Sequence, residues 1–227
     1  MSLYNRDYAR ESYEVEEVYQ GQISTFVKST YKLIAASLIA AIAGAYIGMG
    51  LKPMGFLIPL IVELGLLFGM SWADKNGKAN LALTLLFAFT FATGIFLGPV
   101  ISMFIGAGMG HVVTQAFVAT AVTFGGLTLY AMNTKNDFSS WGKPMFFILI
   151  GVIIAGLLNA FVFRSTMGSL VISSISAILF SAYILYDTQN IIRGAYESPV
   201  MAAVGMYLNI LNLFVSLLNI LGIANRE

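Results

Sequence analysis

Seven long, nearly uninterrupted apolar stretches constrain this chain more than any other feature of its sequence. A helix that spans the hydrocarbon core of a bilayer, which is roughly 30 Å thick, needs about 20 predominantly apolar residues. The stretches run near Leu33–Leu51, Met54–Trp72, Leu81–Ile101, Val112–Ala131, Pro144–Phe163, Leu170–Tyr186 and Met201–Ile223. Strands of a membrane barrel alternate apolar and polar residues, whereas these stretches are continuous. The sequence therefore predicts an all-α integral membrane protein, a seven-transmembrane-helix bundle in a lipid bilayer.

The composition excludes several classes of function. Only 10% of the residues are charged and 58% are hydrophobic, whereas soluble domains carry roughly 25% charged residues. The net charge of +1 provides no basic surface for a nucleic acid. The chain has no cysteine and one histidine, which excludes thiol catalysis, cysteine-ligated zinc and multi-histidine metal sites. We find no catalytic motif, so we predict a protein that is not an enzyme and needs no cofactor.

The loop charges predict how the bundle is oriented. Cytoplasmic loops of membrane proteins carry an excess of Lys and Arg. Nine of these residues fall on the side of the N-terminus, namely Arg6, Arg10, Lys28, Lys32, Lys75, Lys78, Lys135, Lys143 and Arg193. Three fall on the other side, namely Lys52, Arg164 and Arg226. We therefore expect a cytoplasmic N-terminus and, after seven spans, a C-terminus in the periplasm or outside the cell.

The chain divides into a polar tail, residues 1–28, and a transmembrane domain, residues 29–227. The tail carries four tyrosines and five acidic residues against two arginines before Lys28. One interpretation is a solvated cytoplasmic tail with a helical turn lying on the membrane surface. The other is an unstructured handle that a cytoplasmic partner grasps.

Small residues at helical spacing predict where helices approach closely. Gly44 and Gly48 form one GxxxG motif, and Gly94 and Gly98 form another. Backbones can approach at such glycines and gain van der Waals contact where lipid offers no hydrophobic driving force. We expect these motifs to pack within one bundle rather than between two chains. Pro99 follows Gly98, which predicts that the third helix bends or ends there.

Two acidic residues lie within or at the end of a predicted span. An ionisable side chain at the centre of a span costs roughly 2.5–3.5 kcal/mol on insertion scales and usually faces a cavity or a partner. Glu63 lies in the middle of the second span, and Asp187 lies at the cytoplasmic end of the sixth. No Lys or Arg lies in a span core to pair with either. Glu63 is either a functional residue or a neutral acid that hydrogen bonds to neighbouring helices.

Polar stripes mark the last two spans. In the seventh, Asn209, Asn212, Ser216 and Asn219 recur at spacings of three and four, which places them on one helix face. In the sixth, Ser173, Ser176, Tyr183 and Asp187 share a face in the same way. We expect the two faces to meet inside the bundle. They are either hydrogen-bonding contacts between helices or the lining of a hydrated pathway with Asp187 at its cytoplasmic mouth.

The C-terminal third resembles a known family. The segments Tyr186–Gln189 (YDTQ), Ile191–Gly194 (IIRG) and Tyr207–Phe214 (YLNILNLF) are similar to the signature of the Bax inhibitor-1, or transmembrane Bax-inhibitor-motif, family. Gly94–Pro99 (GIFLGP) also resembles that family. The ending Val215–Glu227 is most similar to the bacterial YccA branch, which implies a bacterial inner (plasma) membrane protein.

The resemblance implies two candidate functions. Some members of the family are pH-sensitive calcium leak channels, in which two aspartates on the last two helices share a proton and an arginine on the second helix latches them. The first aspartate corresponds to Asp187, but Asn209 stands at the second position, and the second span offers Glu63 and no arginine. The YccA branch is associated with regulation of FtsH, a membrane-anchored ATP-dependent protease. Our leading hypothesis is an FtsH modulator with the tail as its handle, and the alternative is a calcium leak.

Overall fold

Seven long helices make up nearly all of the structure. The computed structural model describes the backbone of residues 3–225 and the side chains of residues 20–225. The helices are α1 (Leu3–Gly48), α2 (Leu57–Lys75), α3 (Ala79–Gly106), α4 (Gly110–Asn133), α5 (Gly142–Leu158), α6 (Thr166–Ile192) and α7 (Pro199–Ala224). A 3₁₀ turn (Ser139–Trp141) precedes α5, and a π turn (Asn159–Phe163) follows it. Within residues 3–225, seven helical stretches are long and apolar enough to cross a membrane, which confirms the predicted number of spans.

The first helix begins much earlier than the sequence predicted. Helix α1 starts at Leu3, so an unstructured tail over residues 1–28 is wrong for the backbone that the structure describes. Between Leu3 and Gln20 the chain has neither glycine nor proline, and helix propagates readily once it is nucleated. The part of α1 suited to spanning a membrane is Gln20–Gly48. Residues 3–19 therefore add a helical extension of roughly 26 Å at 1.5 Å per residue.

The two GxxxG motifs pack against each other along α1 and α3. A Cβ atom added at Gly44 would overlap the carbonyl oxygen of Phe91, and one added at Gly94 would overlap that of Ala41. Gly48 and Gly98 meet in the same way, one turn further along. The motifs thus form a contact within one chain, as the sequence indicated, and we call it the glycine seam.

Helix α3 does not end at Pro99. It continues to Gly106 with Pro99 inside it. Because proline has no N–H, the Ile95 carbonyl four residues earlier loses its helical partner. That carbonyl is the group that faces Gly48 across the seam. The close approach of α1 covers the helical turn in which Pro99 provides no N–H donor. This packing explains how the helix continues past Pro99.

Helix α7 lies at the centre of the bundle and α5 at its edge. Helix α7 packs against α1, α2, α3, α4 and α6, whereas α5 packs against α6 and its own flanking turns, and its backbone does not come close to that of α7. Met206 and Tyr207 of α7 are fully buried. Large apolar side chains on the outer faces, such as Phe147 and Ile178, are more than 70% exposed. Lipid accommodates such a surface, which is far too apolar for water.

Candidate functional site

A cleft between α5, α6 and α7 contains most of the residues that the sequence singled out. It has a volume of about 560 Å³. Its polar lining is Ser173, Ser176, Tyr183, Asp187, Asn209, Asn212, Ser216 and Asn219. The cleft runs between α5 and α7, whose backbones do not approach each other closely. The structure thus brings the polar stripes of α6 and α7 to one cavity, with Asp187 at the end nearest the α6–α7 loop.

The short connection between α6 and α7 sets this arrangement. Helix α6 ends at Ile192, and Gly194 adopts a positive φ of 65°, which glycine reaches without steric cost. Ser198 caps α7 by accepting a hydrogen bond from the Met201 N–H at 3.2 Å, and Pro199 follows at the first helical position. Both are common signals for the start of a helix. The tight turn makes α6 and α7 antiparallel neighbours.

Asp187 is the centre of the hydrogen bonds at this end of the cleft. Its side chain is only 6% exposed. The Tyr196 hydroxyl donates to one carboxyl oxygen at 2.6 Å, and the Asn209 amide donates to the other at 2.6 Å. Both carboxyl oxygens are therefore satisfied by two different elements, the α6–α7 loop and α7. A buried carboxyl group without such partners would be strongly destabilising.

Tyr196 is a site residue that the sequence analysis missed. It lies in the loop, outside the spans, and its hydroxyl covers the carboxyl group from the loop side. Burial, together with the neighbouring Asp187, raises the pKa of Tyr196 above its ordinary value. The phenol therefore keeps its proton at neutral pH and remains a donor. Helical spacing could not reveal it because Tyr196 lies nine residues after Asp187, on the far side of a turn.

The rest of the α7 stripe hydrogen bonds within its own helix. The Asn212 amide donates to the Leu208 carbonyl at 2.8 Å, and the Ser216 hydroxyl donates to the Asn212 carbonyl at 2.7 Å. Of the α7 stripe, Asn209 is the residue whose described side-chain hydrogen bond reaches α6. Asn212 and Ser216 therefore supply polar surface to the cleft rather than a hydrogen-bonded contact between helices.

Glu63 lies away from this cleft. It is half-buried on α2, a helix that packs mainly against α3. It is not among the residues that line the cavity. Asp187 and Glu63, the two acidic residues singled out in the spans, therefore do not form a pair.

A second polar connection fixes the loop between α4 and α5 to the end of α6. The Gln189 side chain accepts from the Phe138 N–H at 2.9 Å and donates to the Asn136 carbonyl at 2.7 Å. Arg193 donates to Asp137 at 2.7 Å. This hydrogen bond holds the pKa of Asp137 at about 2, so the carboxylate stays ionised at neutral pH. The loop that precedes α5 is thereby attached beside the α6–α7 turn.

The chemistry available in the cleft is that of one carboxyl group and several amides and hydroxyls. Within residues 20–225, no three His, Cys, Asp or Glu side chains lie close enough together to hold a metal ion. The described lining of the cleft also contains no base beside a serine that could act as a nucleophile. Such a lining can hydrogen bond to water or a cation, or hold a loop in place.

Known proteins similar to this chain identify its family. A family model described as an inhibitor of apoptosis-promoting Bax1 matches residues 23–226. An uncharacterized protein of Campylobacter jejuni is 51% identical, over 97% of each chain. An uncharacterized membrane protein of Vibrio cholerae is 41% identical, over 88% of this chain and 90% of its own. The modulator of FtsH protease YccA of Escherichia coli is 32% identical, over 88% and 91%.

These matches cover the transmembrane helices almost completely, and they confirm the resemblance drawn from the α6 and α7 motifs. They agree with the seven apolar helices, which make this a multi-pass membrane protein. The chain belongs to the Bax inhibitor-1 family.

Proposed function

We propose that this protein modulates a membrane-anchored ATP-dependent protease of the FtsH type. The observation that carries the proposal is the similarity to YccA, which is named a modulator of FtsH protease and aligns with 88% of this chain. The protein acts by contact and carries out no reaction of its own. We infer from the excess of Lys and Arg on the side of the N-terminus that this terminus is cytoplasmic, on the same side as the protease's ATP-dependent machinery.

The helical extension before the first span is the contact that we assign to the protease. Helix α1 has 46 residues, or roughly 69 Å at 1.5 Å per residue, more than twice the roughly 30 Å of a hydrocarbon core. The part that precedes the candidate span is residues 3–19, with five acidic residues and four tyrosines. An ATPase that pulls on this segment must first unwind it, and α1 is anchored by the glycine seam. Slow extraction of this kind would occupy the protease and spare other substrates.

The first prediction concerns the half-life of an FtsH membrane substrate in cells that express this protein. We expect the full chain to lengthen the half-life at least twofold. A variant that lacks residues 2–19 should not, although it keeps the whole span from Gln20 onward. The measurement is a pulse-chase of the substrate at matched expression of the two chains.

A chain whose residues 2–19 are replaced by a Gly/Ser segment of equal length provides the control for length alone. Equal protection by the full and truncated chains would exclude the extension as the contact. No protection by the full chain would contradict the proposed function itself.

A second candidate function is a calcium leak through the cleft. It is favoured by the polar lining that runs along α6 and α7 from Asp187 to Asn219. In this function the Asp187 carboxyl group would attract cations at the end of the cleft nearest the α6–α7 loop, and Tyr196 would close that end.

The second prediction separates this candidate from the first. If the cleft conducts calcium, purified protein in dye-loaded liposomes should show flux that falls at least threefold in Asp187→Asn, because a negative charge at the mouth is lost. Glu63→Gln is the matched control, since Glu63 does not line the cleft, and its flux should equal that of the unaltered protein. No flux above empty liposomes, or equal flux in Asp187→Asn, would contradict the leak.

A further inference from the structure

A second cleft, between α1, α3, α4 and α7, has almost entirely apolar walls, and we call it the apolar cleft. Its volume is about 560 Å³, within the roughly 300–1,000 Å³ that is usual for small-molecule sites. It opens between α1 and α4, whose backbones do not approach each other closely. Ile42 of α1 and Phe117 of α4 line it and are both more than half exposed, so the opening faces the outside of the bundle.

The few polar groups in the described lining of the apolar cleft are already hydrogen bonded. They belong to Thr114, Thr120 and Tyr207. The Thr120 hydroxyl donates to the carbonyl four residues earlier at 2.7 Å, and the Thr114 hydroxyl does the same at 3.4 Å. The Tyr207 hydroxyl is hydrogen bonded to that of Thr93. An ordered water needs two to four polar partners, so these walls favour hydrocarbon over water or a polar ligand.

The apolar cleft has the depth of one leaflet of a bilayer. All four helices that form it are long and apolar enough to span a membrane. Along α4 the cleft reaches from Val113, three residues after the helix begins, to Phe124. This is roughly 16 Å at 1.5 Å per residue, and half of a hydrocarbon core is roughly 15 Å. The cleft therefore extends from the α3–α4 loop to about the middle of the membrane.

We propose that the apolar cleft binds one acyl chain of a membrane phospholipid, from the leaflet on the side of the α3–α4 loop. Acyl chains surround spanning helices, so they are the hydrocarbon that reaches an opening between α1 and α4. A wall of the cleft with no atom against it would lose its van der Waals contacts, and an acyl chain restores them. The headgroup stays at the end nearest the α3–α4 loop, and the chain extends inward toward Tyr207.

The bound chain would pack directly against the glycine seam. Ala41, Ala45 and Gly94 line the apolar cleft, and their backbones meet where α1 and α3 approach most closely. The acyl chain thus fills the space between this helix pair and α4. This role requires neither protease binding nor ion conduction, so its test is independent of both.

Photo-crosslinking with a phospholipid that carries a diazirine in the middle of one acyl chain tests the site. The sample is the full protein in nanodiscs of phosphatidylethanolamine and phosphatidylglycerol, and mass spectrometry locates the crosslinks. Lipids around the bundle should label exposed residues such as Phe147. A chain inside the apolar cleft should also label Ile210 of α7, which lines the cleft and is only 7% exposed.

Filling the apolar cleft should displace the lipid chain. Ala121 lines the cleft on α4 and is exposed, so Ala121→Trp places an indole at the opening. We expect labelling of Ile210 to fall at least fivefold, with labelling of Phe147 unchanged. Ala43→Trp is the matched control, because Ala43 is exposed on α1 but does not line the cleft, and it should leave both signals unchanged.

The depth of labelling in the unaltered protein provides a second measurement, which holds even if Ala121→Trp fails to fold. A diazirine near the carboxyl end of the chain should label Ile101 and Val113, and one near the methyl end should label Leu38 and Phe124. Labelling of Phe147 without Ile210, or the same labelling pattern from both probes, would overturn the proposal.

A second copy of the chain is the competing occupant of the apolar cleft. The chain has no cysteine, so Phe117→Cys puts a single thiol beside the opening. With an acyl chain in the cleft, a bismaleimide added to native membranes should give no more crosslinked dimer for Phe117→Cys than for Phe147→Cys. A severalfold higher dimer yield for Phe117→Cys would show that a protein surface covers the cleft and would contradict the lipid site.

Discussion

Gly44→Ala is expected to destabilise the bundle by about 1–3 kcal/mol, the usual cost of forcing an extra methyl group into a packed interior. The new Cβ would overlap the Phe91 carbonyl oxygen of α3. A backbone carbonyl within a helix cannot rotate away, so α1 and α3 must separate along the glycine seam. The measurement is the midpoint of thermal unfolding in one detergent, and Gly44→Leu should lower the yield of folded protein further.

Gly125→Ala is the matched control, and its effect should have the opposite sign. Gly125 lies in α4 with no atom within 4 Å of an added Cβ. Replacing a helical glycine with alanine in open space gains about 1 kcal/mol from helix propensity. If Gly44→Ala were neutral or stabilising like the control, the close approach of α1 and α3 would be wrong.

The sequence predicted the spans and a close helix contact at each glycine motif because both depend on local patterns, but it did not predict that the two motifs would meet each other. An apolar run of about 20 residues is stable in a bilayer as a helix, because the helix satisfies the hydrogen bonds of its own backbone N–H and C=O groups. Glycines four residues apart leave a flat face that another such face can meet, and the partner motif was the other GxxxG. The end of α1 was not predictable in this way, because the polar residues 3–19 are compatible with helix as well as with a solvated tail.

The candidate site was predictable only in part, for a related reason. Spacing within α6 identified Asp187, spacing within α7 identified Asn209, Asn212 and Ser216, and the antiparallel turn then brought these faces together. Tyr196 could not be found by periodicity, since it lies in a loop whose path depends on Gly194 and Ser198. Nor could the sequence reveal that Asn212 bonds to its own helix while Asn209 reaches across to α6, because both occupy the same stripe.

Asn209→Leu is expected to destabilise the protein by about 1–3 kcal/mol, because it leaves one buried oxygen of Asp187 without its donor. Asp187→Leu should do the same, since it leaves the Tyr196 hydroxyl and the Asn209 amide without their acceptor. In the double variant neither member of the Asp187–Asn209 pair remains. Its loss of stability should therefore be smaller than the sum of the losses in the two single variants. We expect a coupling of about 0.5–3 kcal/mol, measured by unfolding all four proteins in the same detergent.

Asn212→Leu is the matched control for that cycle. The Asn212 amide donates to the Leu208 carbonyl of its own helix. Asn212→Leu should therefore change the free energy of unfolding little, and its effect should add to that of Asp187→Leu. If the stability losses of Asp187→Leu and Asn209→Leu simply added up in the double variant, the hydrogen bond between α6 and α7 would contribute no stability of its own.

The same double variant also separates stability from function. If Asp187 serves only to hold the α6–α7 loop and α7 together, a stable Asp187→Leu/Asn209→Leu protein should protect an FtsH substrate as well as the unaltered chain does. If the carboxyl group itself attracts cations, the double variant should be stable and still fail to conduct calcium. A stable double variant that no longer protects the substrate would contradict the purely structural role of Asp187.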